Sequence, residues 1–156
     1  MPPQETYDSI FMFHVIEHLP EPEYVLCELK KHMKADSILV IETPNANDAL
    51  LSMYECKAFA DFTYWSPHIY LYNEETLKKI VERAGMKVVE MKQYQRYPLA
   101  NHLRWLAKGL PGGGIKVYDE LNVKELNDLY AAALANKKVC DTLLCVVRTR
   151  DGECMR

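Results

Sequence analysis

Two apolar runs bracket an amphipathic stretch near the N-terminus, and this order constrains the fold more than any other feature of the chain. YDSIFMFHVI is a short, nearly unbroken apolar run of the kind that forms a buried strand. EPEYVLCELKKHMK follows, with Pro22 near a helix start and apolar residues at Tyr24, Val25, Leu26, Leu29 and Met33, an amphipathic helix pattern. ADSILVIETPN then supplies a turn, a strand of β-branched and aliphatic residues, and Pro44 to stop it. Strand, helix and strand within about forty residues make a βαβ unit, whose crossover is parallel and right-handed. The expected class is α/β.

The end of the first run also spells something else. His14-Val15-Ile16-Glu17-His18 matches H-x-x-E-H, the inverted zinc-protease motif. Zinc chemistry needs both imidazoles one turn apart on a stable helix, a third ligand, and a carboxylate to activate water. Here a strand-like run precedes the motif, and Pro20 and Pro22 follow it closely. Proline removes a backbone donor and biases its predecessor toward extended geometry, so a helix could hardly extend past Leu19. The expectation is therefore no metal, with a metallopeptidase ranked last among the readings.

Composition narrows the partners. The chain has 156 residues and a net charge of −3, with no block of Lys or Arg. That argues against nucleic acid and anionic membrane. No apolar stretch approaches the roughly 20 residues that span a bilayer, and MPPQETYD lacks the basic and apolar regions of a signal peptide. Cys27, Cys56, Cys140, Cys145 and Cys154 are scattered, odd in number and without a C-x-x-C pair. A reduced, cytoplasmic protein is the expectation.

Further along, a short helix is predicted around Asp48–Cys56, then an ordered aromatic loop reaching Tyr72. Asn73 caps a helix over NEETLKKIVERAG, with acidic residues in its first turn and Gly85 as its stop. MKVVEMKQYQRY and TLLCVVRTR read as strands. Between them lie the apolar segment LANHLRWLAKGL, a PGGG loop, and a helix near Val123–Asn136. No repeat or linker is visible, so one domain over 1–156 is expected.

These motifs, taken in order, carry a family resemblance. Tyr7-Asp8-Ser9-Ile10 followed by Val15-Ile16-Glu17-His18-Leu19-Pro20 resembles a segment of class I S-adenosylmethionine-dependent methyltransferases, nearest the ubiquinone, sugar and lipid methyltransferase subgroup. Ile38–Asn45, ending in T-P-N, is similar to that subgroup's next strand. Pro67-His68-Ile69-Tyr70, Thr76-Leu77 and Ala84-Gly85-Met86 match its next stretch, while YQRYPLANHLRWLAKGLPGG and Cys140-Asp141-Thr142-Leu143 resemble a narrower branch. The family's opening strand, Gly-rich loop and ribose-binding acidic residue have no counterpart here; Gly112-Gly113-Gly114 follows no strand. The resemblance thus implies the C-terminal half of such an enzyme, a partial Rossmann-like sheet in the order 4-5-7-6 with its last strand antiparallel and flanking helices.

What the resemblance implies for function follows from that placement. The implied activity is methyl transfer from S-adenosylmethionine to a small-molecule, sugar or lipid-type acceptor; a non-catalytic half-domain acting through association is the alternative. Ligands of open α/β sheets bind at the carboxyl edge of the strands. Phe13, His14, Val15 and Glu17 would then line the cofactor, with His18 behind them. His68 and His18 are candidate general bases, because histidine titrates near neutrality. Asn45, Arg96, Asn101 and His102 are candidate substrate contacts, and 46–72 and 94–118 are substrate-side insertions. Asp141 and Thr142 read as a turn or cap. A sheet opening at YDSIFMF would leave an uncharged apolar edge, so a homo-oligomer with Phe11, Met12 and Phe13 near the contact, or a chain supplying the missing half, is the expected partner.

Overall fold

The computed structural model describes residues 5–65, 67–112 and 120–150. In chain order its elements are β1 (Tyr7–Phe13), a 3-10 turn (Ile16–His18), α1 (Pro22–Lys30), β2 (Met33–Pro44), α2 (Ala49–Ser52), α3 (Lys57–Trp65), α4 (Glu74–Arg83), β3 (Met86–Tyr94), α5 (Leu99–Lys108), α6 (Lys124–Lys137) and β4 (Thr142–Thr149). They fall into two compact units. A sheet unit comprises Met1–Thr43, Ile69–Lys92 and Leu143–Arg156; a helical unit comprises Pro44–His68 and Gln93–Thr142. Part of the PGGG loop, the end of the 94–118 insertion and Cys154 lie outside the described residues.

The sheet is mixed, with strand order β1-β2-β4-β3 and β1 parallel to β2. This is the 4-5-7-6 order expected from the sequence. Alternation along β2 buries Leu39 and Ile41, and β4 buries Leu143, Cys145 and Val147. Met12 joins them, together with Leu26 from α1 and Leu77 and Val81 from α4. Both helices therefore cover the same sheet face, and they also pack on each other. On the other side of β1, Phe11 and Phe13 remain exposed with their rings 5.6 Å apart.

The first crossover differs from its sequence reading at one point. Met33 does not extend the face of α1; it opens β2, buried opposite Tyr7. Helix α1 exits through tight bonds from Lys31 N to Glu28 O and His32 N to Leu29 O, and Tyr7 N then donates to His32 O at 2.9 Å. Strand pairing thus captures Met33 before another helical turn forms. The predicted turn at ADS is a bulge, where register jumps from Tyr7↔Met33 to Ser9↔Ile38. Ser37 holds it, its hydroxyl donating to Tyr7 O at 2.5 Å and accepting from Lys34 N at 2.8 Å.

Helix α4 forms as its caps dictate. The Asn73 side chain accepts from Thr76 N, and Thr76 Oγ1 accepts from Asn73 N, a reciprocal capping box. Gly85 ends the helix at φ +72°, where a side chain would be strained.

In the helical unit, the aromatic stretch expected as a loop is largely a helix. Helix α3 forms because Phe59 and Phe62 find Trp105 of α5, with ring centroids 5.2 and 5.3 Å apart. That partner is some forty residues away, beyond the reach of local periodicity. A second cluster joins Ala49 of α2, Leu134 of α6 and Cys140, with Tyr130 and Val139 against it. Among the described residues no helix is long and apolar enough to cross a membrane.

Candidate functional site

The carboxyl ends of β1 and β2 meet at Phe13 and Glu42, which are paired in register. The ladder runs one step further, His14 N donating to Glu42 O at 2.9 Å. There the chain turns sharply, with His14 at φ 52°. A left-handed conformation costs a non-glycine residue roughly 1–2 kcal/mol, so the surroundings must hold it. They do so through the ring: Nε2 lies 2.9 Å from Glu42 Oε1 and Nδ1 lies 3.4 Å from Glu17 Oε1.

Glu17 sits in the 3-10 turn with no exposed surface. Removing a carboxylate from water is tolerable only with close partners. Thr43 Oγ1 donates to Glu17 Oε2 at 3.0 Å, and His18 Nε2 stands 4.0 Å from Oε1. The backbone carbonyl of Glu17 accepts from Ile69 N at 2.8 Å and Tyr70 N at 3.1 Å, tying the segment after residue 68 to the turn. Tyr72 is buried close by; burial, then Tyr70 and Glu17, pushes its hydroxyl up to about 12.

The four expected cofactor-side residues thus lie within one tight turn, His14 Nδ1 being 3.4 Å from Glu17 Oε1. Phe13 and Val15 are exposed apolar groups flanking His14, and Glu17 lies beneath. The H-x-x-E-H string does not form the platform its spelling suggests, because His14 lies outside the 3-10 turn in left-handed geometry. The two histidines do not share a helix.

The remaining candidates belong to the helical unit. His68 is half-buried in the segment following α3. Asn45 is buried, its Nδ2 donating to Cys140 O at 2.7 Å and Gln93 Oε1 at 3.2 Å while its Oδ1 accepts from Asn47 N. Asn101 Oδ1 accepts from Gly112 N at 2.9 Å. Arg96 is exposed, its guanidinium 5.7 Å from the Tyr97 ring centre, on the wall of an open cleft of about 270 Å³ that includes Asn122, Asn127 and Asp128.

His102 is almost wholly buried, and burial pushes its imidazole down to about 4. Its Nδ1 lies 2.7 Å from Tyr130 Oη, which lies 3.1 Å from Tyr54 Oη; its Nε2 lies 3.1 Å from Gln95 Nε2. Gln95 continues to Asp141 Oδ2 at 2.7 Å. The Asp141 carboxylate also accepts from Arg96 N, Tyr97 N and Thr142 Oγ1, so it organises the whole turn that carries Arg96. Burial raises Asp141, and raises Asp48 to about 7 with a smaller contribution from Asp141.

Sequence reasoning did not single out Glu42, Thr43, Gln95, Tyr130, Tyr54 or Asp48. The T-P-N strand end held a usable clue for Glu42 and Thr43, since it falls at the same sheet edge as His14. Nothing local marks the others. Their role comes from α5, α6 and the segment after β2 meeting in space.

Comparison with known proteins agrees with this architecture. No curated protein matches the sequence. A sequence profile described as a methyltransferase domain matches residues 1–91, more than half of the chain. Among solved structures, an Archaeoglobus fulgidus SAM-dependent methyltransferase aligns with a TM-score of 0.56 at 21% identity, over 94% of this chain and 61% of that one. A Haloferax volcanii putative methyltransferase, solved in complex with the Trm112 activator, aligns with a TM-score of 0.56 at 14% identity, over 99% and 59%. LepI, solved in complex with SAM, gives a TM-score of 0.54 at 10% identity over 95% of this chain and 28% of that one. At these identities the likeness shows the fold alone, and the chain spans about three-fifths of the first two structures. The profile match carries the assignment further: the chain belongs to the methyltransferase domain family.

Proposed function

We propose that this chain takes part in S-adenosylmethionine-dependent methyl transfer to a small-molecule, sugar or lipid-type acceptor. The observation that carries the reading is the profile match over residues 1–91, which spans the turn where His14 is held between Glu17 and Glu42. The residues fit one wall of a cofactor site. Phe13 and Val15 offer apolar surface, and the Glu17–Glu42 pair offers negative charge to a cationic ligand. When bound, S-adenosylmethionine supplies a methyl group on a sulfonium. The chain's own part is to exclude water, to hold the acceptor, and to take the proton that an acceptor oxygen or nitrogen gives up. His18 and His68 are the imidazoles assigned to that proton, with Asn45, Arg96, Asn101 and His102 on the acceptor side.

The Gly-rich cradle for the cofactor's methionine end is not among the 156 residues. In this reading it comes from polypeptide outside them, on the same chain or on a partner. The Haloferax complex with an activator supports association as a route. Calorimetric titration tests the proposal. S-adenosylmethionine should bind the chain weakly or not at all, and tightly once a Gly-rich N-terminal half is joined to it. A joined protein that fails to bind the cofactor, or one that binds it with an affinity unchanged by Glu17→Ala, would overturn the assignment.

A further inference from the structure

The open cleft of the helical unit carries a cation and an amide donor on one wall and an apolar surface beside them. Its two asparagines have fixed orientations. Leu99 N can only donate, so the Asn127 side-chain atom 3.1 Å away is the oxygen. The Asn127 nitrogen is then the donor to Asn122, and it meets the Asn122 oxygen at 2.8 Å. Among the described residues nothing accepts the hydrogens of Asn122 Nδ2. Arg96 supplies the charge, with five N–H donors in a planar fork, and its guanidinium stands 5.7 Å from the Tyr97 ring centre. The one carboxylate on the cleft, Asp128, is neutralised by Lys124, Oδ2 to Nζ at 2.5 Å. The lining therefore holds one net positive charge. Pro98, Ala131 and the half-exposed Tyr97 ring complete the wall. The turn beneath is held in place, because Arg96 N and Tyr97 N both donate to the Asp141 carboxylate at 2.9 Å.

We propose that this cleft binds a small monocarboxylate with an apolar body, its carboxylate held by the Arg96 guanidinium and the Asn122 amide. A guanidinium matches a carboxylate through two parallel hydrogen bonds, and those bonds are stronger than neutral ones. One net positive charge balances a monoanion. A phosphate monoester, at roughly −1.5 to −2 near pH 7, would be left undercompensated. The volume of about 270 Å³ lies at the small end of ligand pockets, which run from roughly 300 to 1,000 Å³, so a compact ligand fits best. Calling that carboxylate the methyl acceptor rests on the methyl-transfer reading; the charge and donors of the cleft do not.

Proton–nitrogen NMR of the whole chain tests this, with benzoate, benzamide and benzylammonium as probes. Benzoate should shift the Arg96 Nε–H and Asn122 side-chain signals, assigned by their loss in Arg96→Gln and Asn122→Ala. Benzamide has the same shape without the charge and should bind at least about tenfold more weakly, and benzylammonium should leave both signals in place. Arg96→Gln should weaken benzoate binding about tenfold or more, and Asn122→Ala about fivefold, the worth of a charged and a neutral hydrogen bond. Arg96→Lys keeps the charge but not the fork, so its affinity should fall between those of the parent and Arg96→Gln. Asn122→Ala truncates an exposed side chain and remains informative should Arg96→Gln fold poorly. Unmoved signals with benzoate, an equal response to benzamide or benzylammonium, tighter binding of phenyl phosphate than of benzoate, or a benzoate affinity unchanged by Arg96→Gln would overturn the proposal. No probe needs the cofactor, so failure here leaves the methyl-transfer reading standing, and failure of cofactor binding leaves this one.

Discussion

Glu17 and Thr43 illustrate how much a single buried charge depends on one neighbour. Thr43 Oγ1 donates to the fully buried carboxylate at 3.0 Å. A hydrogen bond to a charged group is worth about 2 kcal/mol, and Thr43→Val keeps the shape while removing the donor. Urea unfolding should show a loss of that order, with Thr43→Ser much closer to the parent; an unchanged midpoint for Thr43→Val would mean Glu17 is satisfied elsewhere. Two other buried groups oppose each other as pH changes. His102, pushed down to about 4, stays neutral when folded while the unfolded chain takes up a proton near 6.5. Its contribution is present above about 6.5 and lost as pH falls toward 4. Asp48, raised to about 7, behaves in the opposite sense: its contribution is present below the unfolded value of 3.8 and lost as pH rises through 7. Asp48→Asn keeps the cap on Leu50 N, because asparagine caps as well as aspartate. It should stabilise the protein at pH 8 by about 3 kcal/mol and have little effect at pH 4. His102→Gln should flatten the acid limb instead. Thermal unfolding from pH 4 to 8 separates the two, and parallel curves for both variants would contradict these assignments.

Among the elements, the two glycine-terminated helices should respond differently to the same change. Both Gly85 and Gly109 have positive φ, and a Cβ on either would come within 3.0 Å of a neighbour. At Gly85 that neighbour is Lys30 Nζ, the far end of a flexible side chain. At Gly109 it is Ala58 Cβ on α3, which cannot swing away. Both alanine variants carry the left-handed penalty of roughly 1–2 kcal/mol, but Gly109→Ala should be the more destabilising of the pair. Equal losses would show that α3 shifts freely against α5. Here the limits of sequence reading are plain. The α4 caps were legible because Asn73, Thr76 and Gly85 act within their own helix. Helix α3 was not, because the ring that stabilises Phe59 and Phe62 belongs to α5.

For the molecule as a whole, the proposal concerns association through β1. It lies at the edge of the described sheet and exposes Phe11 and Phe13, while Met12 is committed to the core. Its one internal charge, Asp8, is paired with Lys34. Natural edge strands are usually charged, bent or covered, and this one carries an aromatic pair instead. Self-association or capture of a further strand is the proposed outcome. Sedimentation should show a dimer or larger species that Phe11→Lys shifts toward monomer without changing the unfolding midpoint of the monomer. A parent chain that is already monomeric, and unaffected by Phe11→Lys, would show that the edge is closed in another way.

The sequence by itself determined the α/β class, the βαβ start, the strand order and the capped helix. These follow from periodicity, prolines and caps, which act over a few residues, and from ordered motifs that mark a family. Only the tertiary structure decided that Met33 begins a strand, that the aromatic stretch is helical, and that His14 lies between Glu17 and Glu42. It alone joined Tyr54, His102 and Asp141, residues drawn from separate segments. A hydrogen bond between side chains 46 or 76 residues apart leaves no periodic trace in the sequence; it exists because packing brings the groups together and burial then requires them to be paired.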